Sequence, residues 1–242
     1  MKTVAIIQAR MGSTRLPGKV LFDLAGKTVL EHVVCRCRKS NYIDDTIVAT
    51  TMASRDDVIA QKTCELGATV FRGSEEDVLD RYIQAAREAR ADIILRIPAD
   101  CPLVDHIMID NSMKHFLSQS YDYASTRIRQ TFPYGQDVEI ITREALEHAW
   151  RQAQAPHQRV HVTPYIYEHP EIFRLWAIHD TDNYSHQRWT LDTHEDLAFL
   201  QTVFSTFHVD TLAWQILAEE LEKHPEILAL NRHVRQKPLL AL

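Results

Sequence analysis

The chain has 242 residues, of which 45% are hydrophobic and 25% charged, enough apolar material for one substantial α/β core. Its 33 acidic and 27 basic residues leave a net charge of -6, which excludes the global basic field that recruits nucleic acid. No apolar stretch approaches the ~20 residues of a membrane span, and four irregularly spaced cysteines make neither a disulfide framework nor a zinc ribbon, so a cytoplasmic protein without membrane insertion is expected.

Strand-length apolar runs at Val4–Ile7, Thr46–Thr50, Ala68–Phe71 and Ile93–Ile97 alternate with helix-like segments at 28–39, 55–66 and 75–90. Such βα alternation predicts a mostly parallel, doubly wound sheet with helices on both faces and ligands beyond the carboxyl ends of its strands. The second half is less regular. It offers strand-like segments at 121–125, 138–141 and 173–178, a helix at 143–153, and an antiparallel excursion of the sheet. A further strand is expected at Gln187–Leu191, followed by a helix whose start carries capping-box spacing at Thr193 and Asp196. Helical periodicity over 210–230 ends the chain, with Pro238 as a breaker. The whole is read as one unit, with a nucleotide-binding half at 1–110, an acceptor-binding half at 111–205 and a helical tail at 206–242.

Between the first strand and the first helix lies Arg10-Met-Gly-Ser-Thr-Arg-Leu-Pro-Gly-Lys19. Gly12 and Gly18 allow close backbone approach, Arg10 and Arg15 suit bidentate grip, and Lys19 supplies a mobile charge, which together fit a polyphosphate. The spacing is not that of a Walker A loop, because Val20 follows the lysine, nor that of G-x-G-x-x-G. Asp100 and Asp192 each end a predicted strand on the edge that carries this loop. Beside a triphosphate such a pair suffices for magnesium, which keeps waters and takes one or two carboxylates; capping and turn closure are the competing reading. Asp137 and Glu139 fall on one strand face, either to bind sugar hydroxyls or a metal or as an exposed edge. His157 and His161 lie four apart, yet no third zinc ligand accompanies them. Arg72, Arg81 and Arg96 interrupt apolar segments.

The run Ile6-Ile-Gln-Ala-Arg-Met-Gly-Ser-Thr-Arg-Leu-Pro-Gly-Lys-Val-Leu21 closely resembles the opening motif of the sugar-acid cytidylyltransferases, most closely the branch of spore coat polysaccharide biosynthesis protein F. Gly73–Arg81, Asp100–Leu103, Gly135–Glu139, His161–Tyr165 and Arg188–Thr193 extend the resemblance in family order. It implies a Rossmann-like nucleotidyltransferase fold and transfer of CMP from CTP to a hydroxyl of an acidic sugar, with pyrophosphate released and Mg2+ as cofactor. It further implies that Arg15, Lys19 and Asp100 are catalytic and that Asp100 and Asp192 hold the metal. Ala9, Arg10, Met11, Gly12, Ser13, Thr14, Thr50, Ser74 and Arg81 would bind the nucleotide, and Asp137, Glu139 and His161 the acceptor. A homodimer accords with the resemblance. Ala99 stands where relatives commonly have glycine, and Val160 where many carry glutamate.

Two other readings compete. A glycosyltransferase of related fold would hold a nucleotide sugar through Asp-x-Asp, but Asp100-Cys-Pro has no second acid. A non-catalytic nucleotide-binding assembly protein would keep the loop and lose turnover.

Overall fold

The computed structural model describes residues 1–236. The chain begins with β1 (Thr3–Gln8), makes a two-stranded ribbon of β2 (Asp23–Leu24) and β3 (Lys27–Thr28), and enters α1 (Val29–Cys37). Next come β4 (Asp45–Thr51), α2 (Asp57–Glu65), β5 (Thr69–Gly73), α3 (Val78–Glu88), β6 (Ile93–Pro98) and α4 (His106–Ser118). The second half supplies β7 (Tyr123–Ser125), β8 (Glu139–Thr142), α5 (Arg143–Gln152), α6 (Pro156–His161), α7 (Pro164–Tyr167) and β9 (Leu175–Ala177). It closes with α8 (His194–Thr206), α9 (Trp214–Glu222) and α10 (Pro225–Leu228).

Seven strands form one sheet in the order β5-β4-β1-β6-β8-β7-β9. β5, β4, β1 and β6 are parallel, whereas β8 runs antiparallel to both β6 and β7, and β9 returns parallel to β7. The expected parallel, doubly wound sheet with an antiparallel excursion is therefore present, and the excursion is β8 alone. β8 also lies inside the sheet, so Glu139 is not on an exposed edge, and Asp137, expected on the same strand face, lies in the segment before β8.

Alternation along the strands divides the core between two faces. Ala5, Ile7, Val48, Leu95 and Ile97 pack with α1, α4, α8 and α9. Val4, Ile6, Ile47, Ala49 and Ile94 pack with α3 and α5. Helix starts follow local chemistry: Thr28, Asp77, Asp105, Thr142 and Thr193 each accept an amide of their own first turn. The cap at Asp77, itself held by the Ser74 hydroxyl at 3.0 Å, delays α3 to Val78 instead of residue 75.

From β1 the chain winds outward through β4 to β5, then returns across the sheet to β6. The carboxyl ends of β1 and β6 thus diverge at a switch point, where doubly wound folds leave a crevice.

The expected strand at Gln187–Leu191 does not form; only Arg188 pairs, in an isolated bridge to Tyr134. Gly135 explains this. Its backbone, at φ 109°, lies so close that an added Cβ would sit 2.7 Å from Thr190 N and from Trp189 C. Beyond that crossing, the Leu191 amide turns to donate to the Asp100 carbonyl at 2.9 Å. The helical tail divides at Pro225, which starts α10, and the break expected at Pro238 lies outside the described residues. Helix α4 and the ribbon were not anticipated from the sequence pattern.

Candidate active site

A cavity of about 430 Å³ opens at the switch point. The loop after β1 contributes Arg10, Ser13, Thr14, Arg15 and Lys19, and the end of β6 contributes Arg96, Pro98, Ala99 and Asp100. Tyr123, Arg127, Asp137 and Glu139 form the far wall, and His161, Thr163, Tyr167, Thr190 and Asp192 complete the rim.

The loop folds around one carbonyl. Met11 O accepts from Ser13 N at 2.9 Å and from Gly18 N at 3.0 Å. Gly18 has φ 73°, a left-handed conformation that favours glycine, and it launches a 3-10 turn, Lys19–Leu21. Gly12 keeps an ordinary backbone, where a Cβ would meet only the Arg55 guanidinium at 3.5 Å. Of the two glycines, only Gly18 is demanded by the loop's conformation. The Met11 amide is fixed by the Asp56 carboxylate at 2.7 Å.

Lys19 crosses the cavity to the two acids. Its Nζ donates to Asp100 Oδ2 at 2.5 Å, to Leu191 O at 2.7 Å and to Asp192 Oδ1 at 2.8 Å. The other Asp192 oxygen receives Arg15 at 2.9 Å and Arg188 at 2.7 Å. The predicted capping box holds Asp192 in place: Asp196 Oδ2 accepts the amides of Asp192 and Thr193 at 2.9 and 3.0 Å, and Asp196 Oδ1 takes Arg188 Nε at 2.8 Å. Burial alone would raise the Asp192 carboxyl, but Lys19, Arg15 and Arg188 outweigh it and bring it down to about 2. Burial alone would lower the Lys19 ammonium, and Asp100 with Asp192 holds it above its usual value instead.

Charges on the far wall are matched pair by pair. Arg96 ion-pairs with Glu139, whose second oxygen accepts the Tyr123 hydroxyl at 2.6 Å. Arg127 Nη1 donates to both Asp137 oxygens at 3.1 and 3.2 Å, and its guanidinium lies 5.2 Å over the Tyr134 ring. Burial pushes the Asp137 carboxyl up despite Arg127.

The structure therefore brings Arg10, Ser13, Thr14, Arg15, Lys19, Asp100, Asp137, Glu139, His161 and Asp192 to one cavity. Ala9, Met11, Gly12, Thr50, Ser74 and Arg81 do not line it. Ala9, Thr50 and Arg81 are buried, and Arg81 Nη1 donates to the Ser74 carbonyl, which joins two of these residues. Thr50 Oγ1 and Arg81 Nε and Nη2 are buried without a protein partner. Arg72 is engaged by Thr51 O, Ala53 O and Asp57, and only Arg96 of the remaining interrupting arginines reaches the cavity. Sequence reasoning missed Tyr123, Arg127, Thr163, Tyr167 and Thr190. Thr163 and Thr190 lay within the motifs at His161–Tyr165 and Arg188–Thr193; Tyr123 and Arg127 carried no signal. Gln236 also borders the cavity and accepts from Arg188 Nη1 at 2.6 Å, a role not foreseen for the tail.

Two convergent carboxylates that already hold one cation between them fit a hard divalent ion such as Mg2+. Among the described residues no group of three or more His, Cys, Asp or Glu side chains can hold a metal ion, so phosphate oxygens and waters would have to complete the shell. Nor is any described helix long and apolar enough to cross a membrane.

A family model described as cytidylyltransferase matches residues 4–224. The spore coat polysaccharide biosynthesis protein SpsF of Bacillus subtilis is 35% identical over 206 residues, 82% of this chain and 85% of that protein. A 3-deoxy-manno-octulosonate cytidylyltransferase of Trichlorobacter lovleyi is 42% identical over 117 residues, 48% of this chain and 46% of its own length. Among solved structures, a cytidylyltransferase from Leptospira borgpetersenii superposes with a TM-score of 0.91 at 33% identity, covering 98% of this chain and 100% of its own.

Proposed function

Because the chain belongs to the cytidylyltransferase family, we propose that it transfers CMP from CTP to a hydroxyl of an acidic sugar or related acceptor and releases pyrophosphate. One observation carries this reading: the cationic β1 loop and the acid pair Asp100 and Asp192 meet in one cavity at the switch point of the sheet. The name of the SpsF relative points to polysaccharide biosynthesis, and that of the octulosonate enzyme to a sugar acid as acceptor.

In this reading the triphosphate lies along the loop, held by Arg10, Arg15 and the Ser13 and Thr14 hydroxyls. The base and ribose lie toward Thr50, Ser74 and Arg81. Thr50 Oγ1 and two Arg81 nitrogens are unmet beneath the surface on that side, and buried polar groups without partners cost about 1–3 kcal/mol each. Asp100 and Asp192 would hold Mg2+, which when bound neutralises charge on the phosphates.

The acceptor hydroxyl attacks the α-phosphorus, the new O–P bond forms, and the bond to the β-phosphate oxygen breaks with its electron pair leaving on pyrophosphate. Positioning and charge stabilisation dominate such transfers. Arg15, and Lys19 once released from the acids, face the negative charge that builds on the leaving group. A carboxylate on the cavity wall can take the hydroxyl proton. Asp192, held at about 2 by its cations, is a weak base, whereas Asp137, raised by burial and set on the acceptor wall, is better matched.

The test is pyrophosphate release from CTP in the presence of Mg2+ and individual acidic sugars. Release that depends on both CTP and one sugar acid supports the proposal. Transfer from a nucleotide sugar without pyrophosphate would favour a glycosyltransferase instead.

A further inference from the structure

Lys19 is placed where its assigned work cannot begin. An ammonium has three N–H donors, and here all three are spent, on Asp100 Oδ2, Leu191 O and Asp192 Oδ1 at 2.5, 2.7 and 2.8 Å. No donor is left for a phosphate. The side chain is only 10% exposed, so the ammonium is enclosed by these partners.

A divalent ion shared by the same two carboxylate oxygens needs the volume between them, at about 2.1 Å from each for Mg2+. That volume holds Nζ. Lysine and metal therefore exclude one another, and a metal arriving alone must expel an ammonium from three short bonds with no replacement partner. A bound triphosphate changes the balance, because its oxygens give the ammonium somewhere to go.

We propose that Lys19 has two stations: in the free protein it is the counter-ion that keeps the Asp100–Asp192 pair closed to metal, and the triphosphate draws it away to open the pair. The proposal rests on the reading of that pair as the metal site. By linkage, nucleotide and metal then strengthen each other's binding, each by the same factor.

Mn2+ is the probe, and its binding to the full chain is followed by the loss of the free-ion magnetic resonance signal. Lys19→Met is expected to bind Mn2+ alone about tenfold tighter than wild type or more, and adding Asp100→Asn should erase the gain. Lys19→Gln serves as the second variant should Lys19→Met not fold, with a gain in the same direction expected. Equal Mn2+ affinity in wild type and the lysine variants overturns the proposal. A protein-bound CTP–Mn2+ complex in wild type, lost in Asp100→Asn, separates the two claims. If that complex forms but the lysine variants show no gain, the two-station role alone falls. If no such complex forms in wild type, the metal-site reading and the proposal fall together.

Discussion

At the β1 end of the cavity, the Lys19 ammonium bridges Asp100 and Asp192, and the Arg15 and Arg188 guanidiniums join it on Asp192. At the β8 end each guanidinium has its own carboxylate, Arg96 with Glu139 and Arg127 with Asp137. The first arrangement is shared and exchangeable: a polyphosphate and a metal can substitute for the partners the side chains hold now. The second is closed pair by pair, and it lines the cavity with oriented carboxylate oxygens and guanidinium edges. On the proposed reading, a cavity that takes a highly charged donor and a less charged acceptor would divide its charge in this manner, with shared pairs at one end and fixed pairs at the other.

Mutations at the two ends should therefore fail differently. The largest expected effect is at the exchangeable end: Asp100→Asn should lower kcat on the order of 10²–10³-fold, measured by pyrophosphate release, with the smaller stability loss of the two, because Lys19 keeps Asp192 and the Leu191 carbonyl. Glu139→Gln should do the reverse. It leaves Arg96, mostly buried beside Tyr82, without its counter-charge, and a broken buried pair costs about 3–5 kcal/mol; urea unfolding should show that loss while CTP affinity is retained in the folded fraction.

Acid sharpens the same contrast. Asp192 sits at about 2 when folded against an ordinary 3.8, so the unfolded chain takes up this proton first as pH falls. Its contribution is full above about 4 and is lost as pH falls through about 2. Asp192→Asn should thus be less stable than wild type on the order of 1–2 kcal/mol at pH 7, with the gap closing between pH 4 and pH 2 in denaturant titrations. The smallest effect is expected from Arg127→Gln. With its guanidinium one-third exposed and stacked on Tyr134, the loss should raise the acceptor KM about tenfold, one hydrogen-bonded charge contact's worth, and leave the CTP KM unchanged.

Much of the β1 end of the cavity was legible because its information is continuous in the chain. The β1 loop carries its cations, hydroxyls and Gly18 within ten residues, and the Thr193 and Asp196 capping box announces both α8 and the acid just before it. The β8 end was not, because its pairs exist only through the fold: Arg96 meets Glu139 through the antiparallel β6–β8 ladder, and no local pattern marks Tyr123 or Arg127. Gln187–Leu191 read as a strand on its alternation alone. Its real path is set by Gly135, 52 or more positions earlier, and by the Asp100 carbonyl. Lys19 shows the same limit, since its residue type fits a phosphate while its observed partners lie 81 and 173 positions away.

The most direct test of the central claim is calorimetric titration of the purified protein with CTP, UTP, ATP and GTP in Mg2+, repeated with Asp100→Ala. Selective binding of CTP, weakened by that substitution, is the predicted result. Binding of no triphosphate, or of all four equally and without regard to Asp100, would contradict it.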